Sequence, residues 1–317
     1  MKNPATKDLV SNPFSFPLCC CISVVRFRLA KLFPLVLLAL WPALANGQAD
    51  ERAKSWNLPV KPFRLIGNIY YVGASDVTSF LITTPQGHIL LDSGLAETVP
   101  LIKDNLKQLG FKLTDIKILI NSHAHYDHAG GLAELKELTG ARVMASEADA
   151  ALLARGGRGD FQWGDKLAYR PVKADRILRD GDKVELGGVT MVARLTPGHT
   201  MGCTTWTMKV SDAGRLLDVV FVGSTTIPGY RLTNNSNYPN IVADYARSFQ
   251  LLKTLPCDVF LGPHGAFFSL KEKMQRLAEG AGQNPFIDPQ GFRDYIEQTE
   301  AAYREQLQRE RRGEGPR

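Results

Sequence analysis

The stretch His123-Ala124-His125-Tyr126-Asp127-His128 places four potential metal ligands within six residues. Imidazole and carboxylate groups are ligands that Zn²⁺ accepts in proteins. Alternate residues of an extended segment point to opposite sides, so four ligands this close do not readily surround one tetrahedral ion. We therefore predict that His123 and His125 face one metal ion and that Asp127 and His128, beyond a bend, face a second one.

Two further histidines stand in short Gly/Pro motifs, Thr196-Pro197-Gly198-His199-Thr200 and Gly262-Pro263-His264-Gly265. Each motif follows an apolar run, which predicts a strand that ends in a tight turn. A lone histidine at such a turn is more often structural than functional. Two of them in a chain that also carries the four-ligand cluster favour a metal site, so His199 and His264 become candidate ligands.

The N-terminal segment has the layout of a secretory signal peptide. Arg26, Arg28 and Lys31 precede an apolar run at 32–41, and an Ala-x-Ala site ends at Ala45. The apolar run is well short of the roughly 20 residues that a membrane span needs. We expect cleavage after Ala45, export to the periplasm and no membrane attachment afterwards. The basic region is long for a signal peptide, which leaves open that translation starts downstream of Met1.

The charge balance changes when residues 1–45 are set aside. That segment holds five Lys/Arg and one Asp, which leaves 33 basic and 31 acidic residues and a net charge of +2 instead of +6. A nearly neutral chain without a basic patch argues against nucleic acid as a partner. Apolar residues make up 44% and charged residues 22%, as in an ordinary globular protein.

The remaining 46–317 read as one domain of alternating strands and helices, with no linker or low-complexity stretch. The apolar run 116–120 predicts a strand that leads into the histidine cluster, and 130–138 predicts the helix that follows. The cluster then lies at the carboxyl end of a strand, where α/β proteins place active sites. Further helices are expected at 98–109, 241–254, 269–280 and 292–311, and further strands at 68–72, 79–83, 88–91, 189–195, 204–210, 218–223 and 258–262.

Taken together, the His-x-His-x-Asp-His run, the Thr-Pro-Gly-His and Gly-Pro-His motifs and Leu90-Leu91-Asp92-Ser93-Gly94 resemble the metallo-β-lactamase superfamily. The resemblance covers about 56–308. It implies an α/β fold, the αβ/βα four-layer sandwich, in which two mixed β-sheets are flanked by helices and the metals lie at one edge. Residues 46–317 would then form the catalytic domain.

Ser224 distinguishes between branches of this superfamily. Glyoxalase II and most hydrolase relatives carry a metal-bridging aspartate there, and serine cannot supply a bridging carboxylate. The sequence is in this respect similar to class B β-lactamases of the third subclass. The resemblance implies two zinc ions, the first held by His123, His125 and His199 and the second by Asp127, His128 and His264.

The same resemblance implies roles for other residues. A metal-bound hydroxide would attack the β-lactam carbonyl, with Asp127 orienting it and Ser224 holding a water on the metal. Ser224 and Thr226 would contact the substrate, and Phe161 and Trp163 would roof the pocket. Equally, the two hydroxyls could cap a turn, and the two aromatic rings could pack on the core.

Three other side chains receive structural interpretations. His88 is expected to be exposed in a turn, and Asp92 to support the histidine loop from behind. Cys203 is expected to pack within a strand. A disulfide between Cys203 and Cys257 stays open, because sequence alone does not show proximity.

The sequence thus predicts a monomeric periplasmic zinc β-lactamase that acts on penicillins, cephalosporins and carbapenems and confers antibiotic resistance. Two alternatives remain. One is a lactone or thioester hydrolase of the same fold. The other is a periplasmic zinc-binding protein without turnover.

Overall fold

The first half of the chain builds a seven-stranded mixed sheet. The computed structural model describes residues 51, 53–280 and 282–315, so the predicted signal peptide lies outside the described residues. The strands are β1 Phe63–Ile66, β2 Ile69–Tyr71, β3 Phe80–Thr84, β4 Gly87–Leu91, β5 Ile116–Ile120, β6 Arg142–Ser146 and β7 Arg176–Leu178. They lie in sequence order, antiparallel from β1 to β4 and parallel from β4 to β7. Because parallel strands end at the same edge, the segments after β4, β5 and β6 meet there.

The second half builds a five-stranded mixed sheet. Its strands are β8 Lys183–Leu186, β9 Val189–Leu195, β10 Thr204–Asp212, β11 Arg215–Phe221 and β12 Val259–Leu261. The spatial order is β12-β11-β10-β9-β8, and only the β11–β12 pair is parallel. The segments after β9 and β12 carry His199 and His264.

Seven α-helices from residue 99 onward accompany the two sheets in the described part of the chain, and residues 53–56 near its start are also helical. They are α1 Val99–Gln108, α2 Tyr126–Ala129, α3 Leu132–Thr139, α4 Glu147–Ala154, α5 Ile241–Leu252, α6 Leu270–Glu279 and α7 Pro289–Arg311. Two mixed sheets with flanking helices confirm the predicted αβ/βα sandwich. Among the described residues, no helix combines the length and the apolar character required to cross a membrane.

Alternation along β4 shows how the layers are held. Ile89 and Leu91 belong to the core that also contains Trp206 of the second sheet. Leu90, between them, faces the opposite side and packs in the cluster that contains Ile102 of α1. Successive residues of a strand point to opposite faces, so a run of apolar residues serves both the inter-sheet core and the helix layer.

Two hydrogen bonds tie the sheets together at the edge where β5 ends. The indole Nε1 of Trp206 donates to the Asn121 carbonyl over 2.9 Å. The Thr204 amide donates to the Ser122 carbonyl over 2.8 Å. These contacts bring the β9–β10 turn, with His199, next to the histidine cluster.

The structure corrects two local predictions. His88 lies inside β4 and is only 8% exposed, because its ring packs against Phe111 with 5.1 Å between centroids. The prediction of an exposed turn residue is therefore wrong. The helix predicted at 130–138 is observed as α3 Leu132–Thr139, and a separate short helix, α2, already contains Asp127 and His128.

The sequence predicts no element between 140 and 188, where the structure has β6, α4, β7 and β8. The strands there have only three to five residues and take their conformation from pairing with neighbours. The second half agrees better: β9 has the predicted bounds, and the predicted strand 218–223 is observed as Arg215–Phe221. Of the described cysteines, Cys203 and Cys257 are both free, so no disulfide joins them.

Candidate metal centre

The segment after β4 holds the histidine run at both ends. The Asp92 carboxylate accepts a hydrogen bond from the Ser122 amide over 2.6 Å, just before His123. Both the amide and the hydroxyl of Ser93 donate to the His128 carbonyl, over 2.8 and 2.9 Å. Asp92 is buried, as expected of a structural support, and it braces the start of the run.

The first group of ligands consists of His123, His125 and His199. One ligating atom from each lies within 4.8 Å of the others, and all three side chains are buried. The Nδ1 of His125 is 3.1 Å from the Nε2 of His199, and the Nε2 of His123 has no hydrogen-bond partner. Buried ring nitrogens without a partner are costly, so nitrogens converging on one point fit a shared metal ion.

The second group consists of Asp127, His128 and His264. The Oδ2 of Asp127 lies 3.3 Å from the Nε2 of His128 and 3.4 Å from the Nε2 of His264. His128 is fully buried and neither of its ring nitrogens has a hydrogen-bond partner. His123 connects the two groups, since its ligating atom also lies within 4.8 Å of those of Asp127 and His128.

All six predicted ligands therefore meet at one edge of the sandwich, and they form two adjacent sets. The donor set of imidazoles and one carboxylate fits zinc in both sets. Their local positions follow from the backbone. His125 has extended geometry at the start of α2, and Asp127 and His128 lie inside that helix. The bend predicted between the two halves of the run is this helix start.

Most of the ligand histidines present the second ring nitrogen to a protein acceptor. The Nδ1 of His199 is 2.9 Å from the Thr226 carbonyl, and that of His264 is 2.8 Å from the Asp76 carboxylate. The Nε2 of His125 faces the Asp160 carboxylate at 3.6 Å, which is beyond hydrogen-bond distance. The acceptors of His199 and His264 fix which nitrogen carries the proton and leave the other one for a metal.

Asp76 and Asp160 were not identified from the sequence. Asp76 lies in a turn between β2 and β3, and Asp160 in the loop after α4, both far from the histidines along the chain. No motif or periodicity marks either residue. Only the fold brings their carboxylates to the ring nitrogens.

The charges at the site suit metal binding. Burial, reinforced by the neighbouring imidazoles, lowers the pKa of His123 and His199 well below the ordinary value. Burial raises the pKa of Asp127, but His128 and His264 outweigh it and leave that pKa well below 3.8. Neutral imidazoles and an ionised carboxylate are the forms that bind zinc.

His264 differs from the other histidines in the metal-free protein. Burial acts to lower its pKa, but hydrogen bonds to Asp127 and Asp76 raise it to about 9. Metal binding at the second set therefore displaces a proton from this ring. Burial raises the pKa of Asp92 to about 7, although its hydrogen bond with Ser122 and the charge of His264 act to lower it.

The predicted substrate residues surround the first group. Ser224 is buried, and its hydroxyl is 3.2 Å from that of Thr226 and 3.4 Å from the Thr226 amide. The Thr226 hydroxyl is also 3.2 Å from the Nδ1 of His199. The two hydroxyls thus close a turn beside His199, as the structural interpretation expected. Their contact with a substrate stays a prediction.

Phe161 and Trp163 are both half-buried and pack on the core. The ring of Phe161 meets those of Tyr230 and Tyr238 edge to face, with centroids 4.9 and 5.0 Å apart. Trp163 lines a small pocket together with His125. A larger cleft of about 370 Å³ is lined by Asp160 and Phe161 and by residues of α4.

Known proteins resemble this chain in sequence and in structure. The sequence matches the family model of the metallo-beta-lactamase superfamily over residues 72–264. The native FEZ-1 metallo-beta-lactamase from Legionella gormanii has a TM-score of 0.78 and 44% identity, over 80% of this chain and 97% of that chain. The class B3 di-zinc metallo-beta-lactamase LRA-12 from an Alaskan soil metagenome has a TM-score of 0.75 and 38% identity, over 79% and 95%.

Curated relatives match a smaller part. A hydroxyacylglutathione hydrolase from Maricaulis maris is 31% identical over 156 residues, which is 48% of this chain and 48% of that protein. The chain thus spans about half the length of this relative. The two solved structures match over 97% and 95% of their own length, and over 80% and 79% of this chain.

Proposed function

Because the chain belongs to the metallo-β-lactamase superfamily, we propose that it is a zinc-dependent β-lactamase that opens the β-lactam amide by hydrolysis. The observation that carries this proposal is the ligand set itself. Six side chains form two adjacent groups, and position 224 beside them holds a serine instead of a carboxylate. The extent of similarity to solved β-lactamases supports the same function.

The two groups fit two zinc ions because their ligating atoms converge, and the buried Nε2 atoms of His123 and His128 have no hydrogen-bond partner. We assign His123, His125 and His199 to the first ion and Asp127, His128 and His264 to the second. Zinc bound by these ligands supplies a water of lowered pKa and polarises the substrate carbonyl.

The protein's own contribution begins with Asp127. Its carboxylate is ionised at neutral pH, so it can orient the attacking water and accept a proton from it. The Thr226 hydroxyl lies against the ring of His199 and the Ser224 hydroxyl against that of Thr226, and both can donate hydrogen bonds to a substrate carboxylate. The proposed reaction needs no covalent enzyme intermediate, because water is the nucleophile.

We further propose that penicillins, cephalosporins and carbapenems are substrates, with antibiotic resistance as the consequence. The cleft bordered by Phe161 is large enough for a substrate side chain. Residues 1–45 would direct the chain to the periplasm, where residues 46–317 act as a monomer. We propose neither nucleic acid nor a membrane as a partner.

The test uses the chain from residue 46 with a chromogenic cephalosporin, a penicillin and a carbapenem. We expect hydrolysis that a chelator abolishes and added zinc restores. Asp127→Asn should lower kcat by at least about 100-fold, as expected for loss of a positioned base and metal ligand. Fully zinc-loaded wild-type protein that hydrolyses none of the three substrates contradicts the proposal.

A thioester or lactone hydrolase is the second candidate, and the hydroxyacylglutathione hydrolase relatives favour it. The same preparation is therefore assayed with S-lactoylglutathione and an acyl-homoserine lactone. Faster turnover of either compound than of any β-lactam would favour the second candidate. Two bound zinc ions with no turnover of any substrate would favour a zinc-binding protein without catalysis.

A further inference from the structure

The second metal set is attached to the beginning of the described chain through one carboxylate. We propose that Asp76 is a positioning residue for His264, and that it makes residues 55–58, here called the N-terminal arm, part of the second zinc site. This inference rests on the proposed role of His264 as a zinc ligand. It goes beyond that role because neither Asp76 nor the arm carries a metal-binding motif.

Asp76 uses three oxygen atoms to hold the segment that contains His264. Its Oδ2 accepts from the Nδ1 of His264 over 2.8 Å, and its Oδ1 accepts from the Ala266 amide over 2.8 Å. Its backbone carbonyl accepts from the Gly265 amide over 2.7 Å. With its Nδ1 engaged, His264 is left with Nε2, which points to Asp127 at 3.4 Å.

Neighbouring contacts make this alignment rigid. Val77 and His264 form an antiparallel bridge, and the Thr78 hydroxyl donates to the Gly262 carbonyl over 2.8 Å. The Thr78 amide donates to the Pro263 carbonyl over 3.1 Å. Asp76 is thus held in the turn that faces His264, and a rotation of either partner breaks several hydrogen bonds together.

The N-terminal arm holds the other side of the same turn. The Trp56 carbonyl accepts from the amides of Asp76 and Val77, over 2.9 and 3.2 Å. The Ser75 amide donates to the Leu58 carbonyl over 2.9 Å, and the Ser75 hydroxyl accepts from the Leu58 amide over 3.1 Å. Trp56 lies at the end of a short helical stretch and Leu58 just beyond it, so the arm reaches the turn through two backbone carbonyls and one amide.

The arm also touches the ligand directly. The indole of Trp56 and the ring of His264 meet edge to face, with centroids 5.1 Å apart and planes at 68°. His264 is therefore held by Asp76 through its Nδ1 and by Trp56 through a ring contact. Loss of a carboxylate that hydrogen-bonds a metal-binding histidine lowers the metal affinity by about 10–100-fold.

Asparagine cannot replace Asp76 in this arrangement. Two N–H groups donate to the two carboxylate oxygens, and an amide offers one oxygen only. In Asp76→Asn, one of the donors must face the amide NH₂. The first set has its own partner, since His125 faces Asp160. The effect is therefore expected at the second set alone.

The experiment is a competitive titration of metal-free protein with zinc against a chromophoric chelator. In wild type we expect two zinc ions with two resolvable affinities. Asp76→Asn should weaken the second affinity at least tenfold and leave the first within threefold. Trp56→Ala should also lower the affinity of the second site for zinc. Cobalt-substituted Asp76→Asn should show changed absorption bands for the second ion, which a general loss of stability does not produce.

Asp258→Asn is the matched control. Asp258 is also half-buried and accepts a backbone amide, that of Asp218 over 2.9 Å, but it precedes β12 whereas His264 follows it. Both affinities should remain at wild-type values in this variant. Unfolding of each metal-free variant is measured in parallel to show that it folds.

Several outcomes separate this inference from the proposed function. Wild-type affinities for both ions in Asp76→Asn, or an equal loss at both, overturn the positioning role while β-lactam hydrolysis by the wild type still stands. Selective loss at the second ion supports the role even if the wild type hydrolyses no β-lactam. A Trp56→Ala variant with unchanged second-site affinity overturns the part assigned to the arm.

Discussion

At the residue scale, Asp149 links the two segments that carry ligand histidines. Its side chain is 1% exposed and accepts hydrogen bonds from Thr200 and Asn121, each over 3.0 Å. Thr200 follows His199 and Asn121 precedes the histidine run. Burial raises the pKa of Asp149 from 3.8 to about 6, while these donors oppose the shift. Asp149 therefore joins the two segments, and burial makes ionisation of its carboxyl group unfavourable.

This shift predicts how stability depends on pH. The folded-state pKa lies above the unfolded value, so the stabilisation is fully present below pH 3.8 and is lost as pH rises through about 6. Relative to Asp149→Asn, wild type should lose up to about 3 kcal/mol of unfolding free energy over that window. Urea unfolding of both proteins with chelator, at half-unit pH steps, measures the difference.

Asp175→Asn is a control, because the contribution of Asp175 to stability should depend on pH in the opposite sense. Lys136 and the Val143 amide lower the pKa of Asp175 although its small burial acts to raise it. Its contribution should therefore be present above pH 3.8 and be lost as pH falls through the lowered value. A flat difference for Asp149→Asn across the window contradicts the assigned pKa.

At the element scale, the C-terminal helix α7 supports the loop beside the site. The Glu310 carboxylate accepts from the amides of Leu232 and Thr233, over distances of 2.7 to 3.0 Å. Gln306, one turn earlier, donates to the Tyr230 carbonyl, and the Tyr230 hydroxyl donates to the His199 carbonyl over 2.9 Å. One face of α7 is exposed to solvent. Its other face is connected to the segment of His199 by two successive hydrogen bonds, from Gln306 to Tyr230 and from Tyr230 to His199.

We expect Glu310→Ala to destabilise the protein by about 1–3 kcal/mol, the usual cost of losing hydrogen bonds to a buried charged group. KM for a β-lactam should rise more than kcat falls, because the 224–233 loop loses its anchor. Denaturant unfolding and steady-state kinetics measure the two effects.

Glu297→Ala makes the same chemical change on the exposed face of α7. This substitution should change the free energy of unfolding by no more than about 0.5 kcal/mol, as is usual for surface substitutions. Similar losses in the two variants would show that helix content, and not the loop anchor, determines the stability.

At the scale of the whole molecule, the two described cysteines are kept apart and covered by the sandwich. Cys203 is fully buried and its Sγ donates to the Ser224 carbonyl over 3.6 Å, whereas Cys257 is half-buried. Burial raises the pKa of both thiols above their usual range. Thiols react as thiolates, so both should be inert in the native fold.

A thiol reagent tests this with the chain from residue 46. At pH 8 the native protein should react slowly or not at all, and denatured protein should release two thiols per chain. The Cys257→Ser variant should release one. Rapid reaction of the native protein, or no free thiol after denaturation, would contradict the described packing.

The chemistry of the site could be read from the sequence because ligands must be particular residue types in short motifs. His123, His125, Asp127 and His128 are visible as a cluster, and His199 and His264 as strand-end motifs. Long periodic elements were also predictable, and the C-terminal helix predicted at 292–311 is observed as part of α7, with Tyr295, Ile296 and Tyr303 buried.

The tertiary structure decided which side chains support those ligands. Asp76 reaches His264 across 188 residues of sequence, and Asp160 reaches His125 from a loop without a motif. The fold likewise packed His88 against Phe111 and formed a separate short helix, Tyr126–Ala129, before the predicted one. Ligand identity is a local chemical requirement, but an outer carboxylate needs only to be nearby in space, and that proximity comes from the packing of two sheets and the N-terminal arm.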